Sequence, residues 1–210
     1  MVDPILSSLS YQWEYYSIFP KGENLGHVNI IGVFLMNSNL RMIVAGGGTG
    51  GHFFPAQAIC ESLRSRGVKV IYVGSRYGIE SNYFNYKNSE ATLLNIRGIQ
   101  RHFSLDALMK NCLFPWRFIQ SYFQSRKIIT KFKPHVVIGT GGYSSGLPLL
   151  AAIHKGIKTV IQEQNSFPGM TTRQLGPKVN KVCIAFEDAK HYLKKKTLLL
   201  QGILFGTIFG

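Results

Sequence analysis

The sequence predicts an α/β fold, a Rossmann-like doubly wound parallel sheet. Short apolar runs recur along the 210-residue chain, and stretches with apolar residues at helical spacing separate them. Strands that are apolar throughout are typical of parallel sheets covered by helices on both faces. Two glycine-rich segments, at residues 46–51 and 139–146, each follow such a run. Both are therefore expected at the carboxyl ends of strands, where ligands bind in such sheets.

The first elements form a βαβ unit. Residues 42–45 are the first predicted strand, and apolar residues at helical spacing predict a helix over residues 53–66. Gly67 ends this helix, because glycine tolerates the left-handed conformation found there. Residues 68–73 form the second strand and residues 91–96 the third.

The same alternation continues to the sixth strand. A long helix is predicted over residues 105–131, followed by a strand at residues 136–138 and a helix over residues 147–154. Residues 159–161 and 181–185 form the fifth and sixth strands.

The composition is that of a folded basic protein. Lys and Arg number 24 against 10 Asp and Glu, so the net charge is +14, and 45% hydrophobic residues exclude a disordered chain. Such a charge predicts partners that carry phosphate, nucleic acid or an anionic membrane surface. Because no nucleic-acid-binding motif is present, no nucleic acid is expected as a partner.

The cysteines and the apolar runs indicate the cellular compartment and bear on whether the chain spans a membrane. The three cysteines, Cys60, Cys112 and Cys183, form no C-x-x-C pair, which argues against a disulfide framework or a zinc ribbon and favours a reducing cytoplasm. The apolar runs fall short of the roughly 20 residues that a spanning helix needs.

The glycine-rich segments are candidate phosphate sites. Between a strand and a helix, glycine lets backbone N–H groups approach an anion at the positive end of the helix. A tight turn is the alternative for one such loop, whereas two loops at one sheet edge favour a diphosphate. The first loop lacks the Lys-Ser/Thr ending of a P-loop and the dinucleotide spacing. Since no acidic residue ends the second strand, a nicotinamide cofactor is disfavoured.

Polar side chains complete the candidate site. His52 stands at a helix start, where the helix dipole favours a neutral imidazole that accepts a proton or binds a hydroxyl. Capping or simple hydration is the alternative for His52. Gln162, Glu163, Gln164 and Asn165 end the fifth strand and could bind sugar hydroxyls or supply a base. N-capping by Asn165, or a structural Glu163 bound to backbone N–H groups, is the alternative.

Three ordered motifs resemble the MurG family of peptidoglycan glycosyltransferases. They are GGGTGGHFFP at residues 46–55, GGYSSG at 141–146, and EQNS at 163–166 followed by Pro168-Gly169. The resemblance covers about residues 37–197 and implies the N-terminal half of a GT-B fold. It implies inverting, metal-independent transfer of N-acetylglucosamine from UDP-N-acetylglucosamine to lipid I, giving lipid II. UDP-N-acetylglucosamine is then a co-substrate, and neither a cofactor nor a metal is expected.

The resemblance also implies roles for residues. His52 and Glu163 match residues implicated in catalysis or acceptor positioning, without deciding which group takes the proton. The positions matched to substrate contacts are Thr49, Gly50, Gly51 and Asn165 for the UDP-sugar, and Gly48, Gly141, Gly142, Tyr143 and Ser144 in the loops for the lipid I diphosphate.

A basic, aromatic stretch predicts a membrane patch, as in the resembled family. Residues 97–133 hold eight Lys and Arg and one Asp, and each basic residue near an anionic leaflet contributes about 1 kcal/mol. The alternative is burial of the apolar face, which we expect for at least half of its apolar residues, with exposure near Phe114 and Trp116. The candidate patch is Leu113, Phe114, Trp116, Arg117, Ile119, Tyr122 and Arg126, with Phe123 also interleaved.

These expectations describe a peripheral protein at the cytoplasmic face of the membrane. Its expected partners are lipid I, anionic inner-leaflet phospholipid and UDP-N-acetylglucosamine, with cell-wall synthesis proteins as further candidates. The alternative function is a membrane-docked lipid-diphosphate binding module that acts with a donor domain on a separate chain.

The two ends of the chain are expected to differ from the domain at residues 36–197. Residues 1–35 are expected to be a leader that is not native, or else an extension packed on the domain. Residues 198–210 are expected to be an aberrant tail. One back-translation of residues 200–206, shifted by two bases, encodes Thr-Gly-Asn-Pro-Val-Arg, which resembles the family's interdomain segment. This predicts a frameshift that removes the donor domain and leaves the chain inactive by itself.

Overall fold

The computed structural model describes residues 39–86, 91–98, 112–193 and 198–200. The strands in this part of the chain are β1 (Arg41–Ala45), β2 (Lys69–Ser75), β3 (Ala91–Leu94), β4 (Val136–Gly139), β5 (Lys158–Glu163), β6 (Lys181–Ile184) and β7 (Leu198–Leu200). The helices are α1 (Gly50–Ser65), α2 (Ile79–Tyr86), α3 (Phe114–Phe132), α4 (Gly142–His154) and α5 (Met170–Leu175), with a 3₁₀ helix at Glu187–Tyr192.

The strands form one parallel sheet in the order β3-β2-β1-β4-β5-β6-β7. Ile43 of β1 pairs with Ile71 on one side and with Val137 on the other, so the strand order reverses between β1 and β4. The predicted Rossmann-like, doubly wound parallel sheet is confirmed. Ligands bind such sheets beyond the carboxyl ends of the strands where the order reverses, and each glycine-rich segment follows one of these two strands.

Helices cover both faces of the sheet. Ile43 and Val44 are consecutive, fully buried residues that point to opposite faces. Val44 lies in a cluster with Phe53 of α1, whereas Ile43 lies in a second cluster with Leu147 of α4. The continuous apolar run of β1 therefore serves two cores, as the sequence pattern predicts.

Some boundaries differ from those predicted. α4 begins at Gly142 instead of residue 147, because its first turn is built from the glycine-rich segment itself. The structure adds α2 and α5, which are only eight and six residues long. The predicted helix over residues 105–131 is described from residue 112 onward, and α3 ends at Phe132.

A seventh strand lies beyond the predicted end of the domain. In β7, Leu198 pairs in parallel with Val182 of β6. The sheet therefore extends into the segment that was expected to be an aberrant tail. Residues 1–38 and 201–210 lie outside the described residues, so the expected leader and frameshift stay predictions.

Candidate functional site

The first glycine-rich loop leads from β1 into the first turn of α1. Gly47 and Gly48 have φ values of 132° and 87°, which side chains other than glycine rarely adopt. Thr49 is the exposed N-cap residue, and its hydroxyl makes no capping bond. The N–H groups of Gly50 and Gly51 have no acceptor among the described residues and lie at the positive end of α1.

A buried carboxylate holds this loop in place. Gly48 donates its N–H to both oxygens of Glu80, with N···O distances of 3.0 and 2.9 Å. Ser75 donates its N–H to the same carboxylate at 2.8 Å, and the Tyr72 hydroxyl donates to the Gly46 carbonyl. Glu80 is fully buried in the first turn of α2. The N–H of Gly48 is therefore occupied by the protein itself, and this glycine contributes loop shape.

The second loop packs directly on the first. Gly141 and Gly142 have φ values of 91° and 73°. A Cβ at Gly142 would lie 2.4 Å from the Gly47 carbonyl oxygen, and one at Gly141 would lie 2.7 Å from His52 Nδ1. Only glycine permits this approach, so the structure brings the two predicted loops together.

Tyr143 and Ser144 stand in the first turn of α4. The Tyr143 ring lies against Gly48 and Gly98, so that it connects the two loops. Burial raises the pKa of Tyr143, while a hydrogen bond with Ser75 opposes the rise. Ser144 is fully buried, and its Oγ has no hydrogen-bond partner in the part of the chain that the structure describes. A buried hydroxyl without a partner is unusual and is a candidate ligand contact.

His52 lies between the first loop and the end of β5. Its Nδ1 is 3.0 Å from the Thr140 carbonyl oxygen and 2.7 Å from the Gln164 side-chain amide. Because the carbonyl can only accept, we assign the proton to Nδ1. The amide atom that lies against Nδ1 is Nε2 of Gln164, so this assignment requires the amide to be turned end for end, with its oxygen toward the ring. Thr140 also donates its hydroxyl to the His52 carbonyl at 2.7 Å. His52 Nε2 is consequently left with a free lone pair that can accept a proton.

Glu163 organises the segment that follows β5. Its carboxylate is buried and accepts the backbone N–H and the side-chain N–H of Asn165, at 3.1 and 2.8 Å. Its second oxygen accepts the Gly169 N–H at 3.2 Å. These contacts match the alternative in which Glu163 is a structural residue bound to backbone N–H groups. The N-capping alternative for Asn165 is wrong, because Gly169 is the N-cap residue of α5.

Sequence patterns alone missed Glu80 and Thr140 as site residues, and they missed the contact of Gln164 with His52, although Gln164 was expected near the site. Glu80 follows β2 after a short turn and does not end the strand, so it escaped a search for an acidic residue at the strand end. Thr140 and Gln164 stand inside the two quoted motif regions, but their contacts with His52 span 88 and 112 residues. The described residues include no group of three His, Cys, Asp or Glu side chains that could hold a metal ion.

The predicted membrane patch divides into two parts on α3. Leu113, Trp116, Ile119 and Phe123 are spaced three or four residues apart and are 49, 67, 50 and 61% exposed. The expectation that at least half of the apolar residues in this stretch are buried stays a prediction, because residues 99–111 lie outside the described residues. Within the described part, Ile129 lies in the core, and Phe114, Tyr122, Ile128 and Phe132 pack against it. The buried face of α3 consists of Ser121, Ser125 and Ile129.

The other predicted patch residues face inward or sideways. Phe114 and Tyr122 are half-buried and pack against the core. The Tyr122 hydroxyl lies 2.6 Å from His154 Nδ1, and the Arg126 guanidinium lies over the Tyr122 ring. None of the described helices is long and apolar enough to cross a bilayer.

Comparisons with known proteins agree with this geometry. Residues 42–184 match the model of the glycosyltransferase family 28 N-terminal domain. Over 169 residues, the chain is 43% identical to the UDP-N-acetylglucosamine–N-acetylmuramyl-(pentapeptide) pyrophosphoryl-undecaprenol N-acetylglucosamine transferase of Christiangramia forsetii, covering 80% of this chain and 45% of the relative. The protein of the same name from Flavobacterium psychrophilum is 42% identical over 164 residues, covering 77% of this chain and 44% of the relative.

A solved structure shares the fold. Acinetobacter baumannii MurG superposes with a TM-score of 0.62 at 26% identity, over 78% of this chain and 45% of that one. The chain thus spans somewhat less than half the length of the relatives that it matches.

Proposed function

Because the chain belongs to glycosyltransferase family 28, we propose that its sheet domain is the acceptor side of an inverting GT-B N-acetylglucosaminyltransferase of peptidoglycan synthesis. The donor is UDP-N-acetylglucosamine, and the acceptor is undecaprenyl-pyrophosphoryl-N-acetylmuramoyl-pentapeptide, lipid I, which becomes lipid II. Both substrates appear in the name of the transferase that the two relatives share. The observation that carries the proposal is the contact of both glycine-rich loops around His52 at the point where the strand order reverses.

The acceptor diphosphate binds where α1 and α4 begin. Each helix N-terminus favours an anion by about 0.3–1 kcal/mol, and more where the site is partly buried. Gly50 and Gly51 offer N–H groups without acceptors among the described residues, and Ser144 offers a hydroxyl without a partner. Two helix ends that meet at one edge suit the two phosphates of one ligand.

In the proposed reaction, the muramyl 4-hydroxyl attacks the anomeric carbon of the donor sugar. The new C–O bond forms on the face opposite the phosphate, UDP departs with the electron pair of the broken bond, and the configuration inverts. His52 Nε2 takes the hydroxyl proton, because the Thr140 carbonyl holds the ring proton on Nδ1. Glu163 acts as a positioning residue, because its carboxylate accepts N–H groups from the segment that carries Asn165.

The same protein docks on the membrane through α3. We assign this contact to the exposed line of Leu113, Trp116, Ile119 and Phe123. The net charge of +14 favours an anionic leaflet. Docking by a helix face makes the protein peripheral, at the cytoplasmic side where lipid I presents its sugar.

An assay of lipid I glycosylation tests the proposal. The purified chain is mixed with UDP-N-acetylglucosamine and lipid I, with and without a donor domain produced from the Christiangramia forsetii relative. We expect lipid II only in the mixture that contains both proteins, and loss of the product in the His52→Ala variant. Equal turnover by His52→Ala would contradict the role of His52. Failure of the chain to bind lipid I on vesicles would overturn the acceptor-side proposal.

The binding-module alternative has its own outcome in this assay. If a cell extract depleted of full-length transferase supplies the missing donor activity, the chain works with a separate native partner. If only the added donor domain restores turnover, the chain carries half of an enzyme that is otherwise one polypeptide.

A further inference from the structure

The His52 ring is held by groups that follow two neighbouring strands. The Thr140 carbonyl follows β4, and the Gln164 side chain follows β5, which pairs with β4 in the sheet. Both lie within hydrogen-bond distance of His52 Nδ1, at 3.0 and 2.7 Å. His52 itself stands in α1, which follows β1, and β1 pairs with the other edge of β4. Three adjacent strand ends therefore meet at one ring nitrogen, and the other nitrogen is left for chemistry.

Thr140 fixes the nitrogen but does not by itself fix the ring. Its carbonyl is held in place, because the buried Thr140 hydroxyl donates to the His52 carbonyl at 2.7 Å. A ring that makes a single hydrogen bond still rotates about its Cβ–Cγ bond, since this torsion has a broad energy minimum. The Gln164 amide supplies a second contact from a different strand, and this contact restricts the rotation.

The orientation of the Gln164 amide follows from counting polar atoms without partners. With Nε2 of Gln164 against the ring, a donor faces the protonated Nδ1, and the buried Oε1 has no partner in the described part of the chain. With the amide turned end for end, the oxygen accepts the Nδ1 proton and only the NH₂ group lacks a described partner. Because a buried polar atom without a partner is costly, the turned orientation is favoured.

We propose that Gln164 is a positioning residue for His52. Its oxygen accepts the Nδ1 proton together with the Thr140 carbonyl, which keeps His52 Nε2 unprotonated and aimed at the acceptor hydroxyl. Gln164 acts through the ring, so it changes the rate of proton transfer and not the affinity for the acceptor. The inference rests on the proposed function, in which His52 takes the proton of the muramyl hydroxyl.

Long-range ¹H–¹⁵N correlation tests the contact without any turnover. Gln164→Met removes the acceptor with little change in side-chain size, so the ratio of the Nε2–H form of His52 to its Nδ1–H form should rise at least about threefold. Gln164→Glu restores an oxygen acceptor and should return the proton to Nδ1. The control is Gln174→Met at an exposed position of α5, which should leave the ratio as in the wild type.

The kinetics of lipid II formation test the consequence for the reaction. In the mixture of the full chain with the Christiangramia forsetii donor domain, Gln164→Met should lower kcat by at least about tenfold, because a misplaced base transfers the proton poorly. The KM for lipid I should change by less than about threefold. Gln164→Glu should recover most of the lost kcat, and Gln174→Met should keep both constants. Thermal unfolding shows which variants are folded, and Gln164→Leu replaces Gln164→Met if the latter is unfolded.

The outcomes separate this inference from the proposed function. If the wild-type mixture forms no lipid II, the proposed function fails, and the tautomer ratio alone decides whether Gln164 holds the ring. If the wild type turns over and Gln164→Met equals Gln174→Met in tautomer ratio and kcat, the positioning role is overturned. A rise in KM alone, with an unchanged tautomer ratio, would assign Gln164 to acceptor binding and would also overturn it. A proton on Nε2 of His52 in the folded Gln164→Glu variant would contradict the turned amide.

Discussion

Glu80 and Gly48 form the contact that holds the first glycine-rich loop, since the carboxylate oxygens both accept the single N–H of this glycine at 3.0 and 2.9 Å. The carboxylate also accepts the Ser75 N–H and is fully buried. An internal anion therefore occupies part of a loop that the sequence assigns to phosphate. In the proposed acceptor complex, the phosphate therefore binds at Gly50 and Gly51 in the first turn of α1 and not at the occupied N–H of Gly48.

Replacement of Glu80 should destabilise the protein. In Glu80→Gln, the carboxylate that accepts the Gly48 and Ser75 N–H groups becomes an amide, and its NH₂ end cannot accept either of them. We expect unfolding in urea to require about 2–3 kcal/mol less free energy than in the wild type. The matched control is Glu61→Gln on the exposed side of α1, which should change stability by less than about 0.5 kcal/mol. Equal stability of the two variants would contradict a structural role for the Glu80 charge.

The protonated nitrogen of His52 is a direct prediction of its contacts. At a pH where the ring is neutral, long-range ¹H–¹⁵N correlation should place the proton on Nδ1, which faces the Thr140 carbonyl. His135 is the internal control, because its Nδ1 accepts the Arg41 N–H at 3.1 Å and its proton must lie on Nε2. A spectrum with the proton on Nε2 of His52 would rule out this nitrogen as the proton acceptor.

Loss of the Glu163 charge should loosen the segment after β5. Its carboxylate accepts N–H groups from Asn165 and Gly169, so Glu163→Gln leaves at least one donor without an acceptor. We expect the Gly169 amide to exchange with solvent at least about tenfold faster, equal to about 1.4 kcal/mol of lost protection. Glu187→Gln is the control, because Glu187 forms only an exposed ion pair with Lys190. Unchanged exchange at Gly169 would show that other contacts hold the segment.

The thiols should differ sharply in reactivity. Burial raises the pKa of Cys60 to about 12 and that of Cys183 to about 11, whereas Cys112 is exposed. At pH 8, Ellman's reagent should modify only Cys112 rapidly, and all three thiols should react after denaturation. Rapid modification of two thiols in the native protein would contradict the burial of Cys60 or Cys183.

The same thiols predict the stability at alkaline pH. The pKa of Cys60 is higher in the folded protein than in the unfolded chain, so the unfolded chain loses its thiol proton first. The protonated Cys60 thiol therefore contributes fully to the free energy of unfolding below about pH 8.5, and this contribution declines as the pH rises toward 12. Cys60→Ala should show a shallower decline than the wild type in urea unfolding between pH 8 and 10. An equal dependence of the unfolding free energy on pH in both proteins would contradict the raised pKa of Cys60.

The exposed line on α3 should govern binding to vesicles. Trp116→Ala, Phe123→Ala removes two large apolar side chains, each of which contributes about 1.5–3 kcal/mol when fully buried in an apolar phase. Binding to phosphatidylglycerol vesicles should fall by more than about tenfold in a sedimentation assay. Tyr192→Ala removes an exposed aromatic ring outside α3 and should leave vesicle binding unchanged. Equal loss in both variants would mean that the contact is not specific to α3.

Local patterns were sufficient for the first six strands of the sheet and for the position of its glycine-rich loops. The apolar run at residues 42–45 predicts a strand buried on both faces, and Ile43 and Val44 indeed serve opposite cores. The glycines of both loops could be recognised for the same reason, because a positive φ and close backbone contact exclude other residues. Such patterns lie within a few consecutive residues, so they do not depend on contacts with distant parts of the chain.

The contacts that complete the site depend on how the strands are arranged. The sequence separates Glu80 from Gly48 by 32 residues and Gln164 from His52 by 112, and no periodicity connects either pair. The periodicity of α3 likewise does not show which of its faces is buried, and the structure buries the one with Ser121, Ser125 and Ile129. By itself the sequence therefore determined six of the seven described strands, the glycine-rich loops and the family. Only the tertiary structure decided which side chains meet, because hydrogen-bond partners are chosen by the order of strands in the sheet and not by distance along the chain.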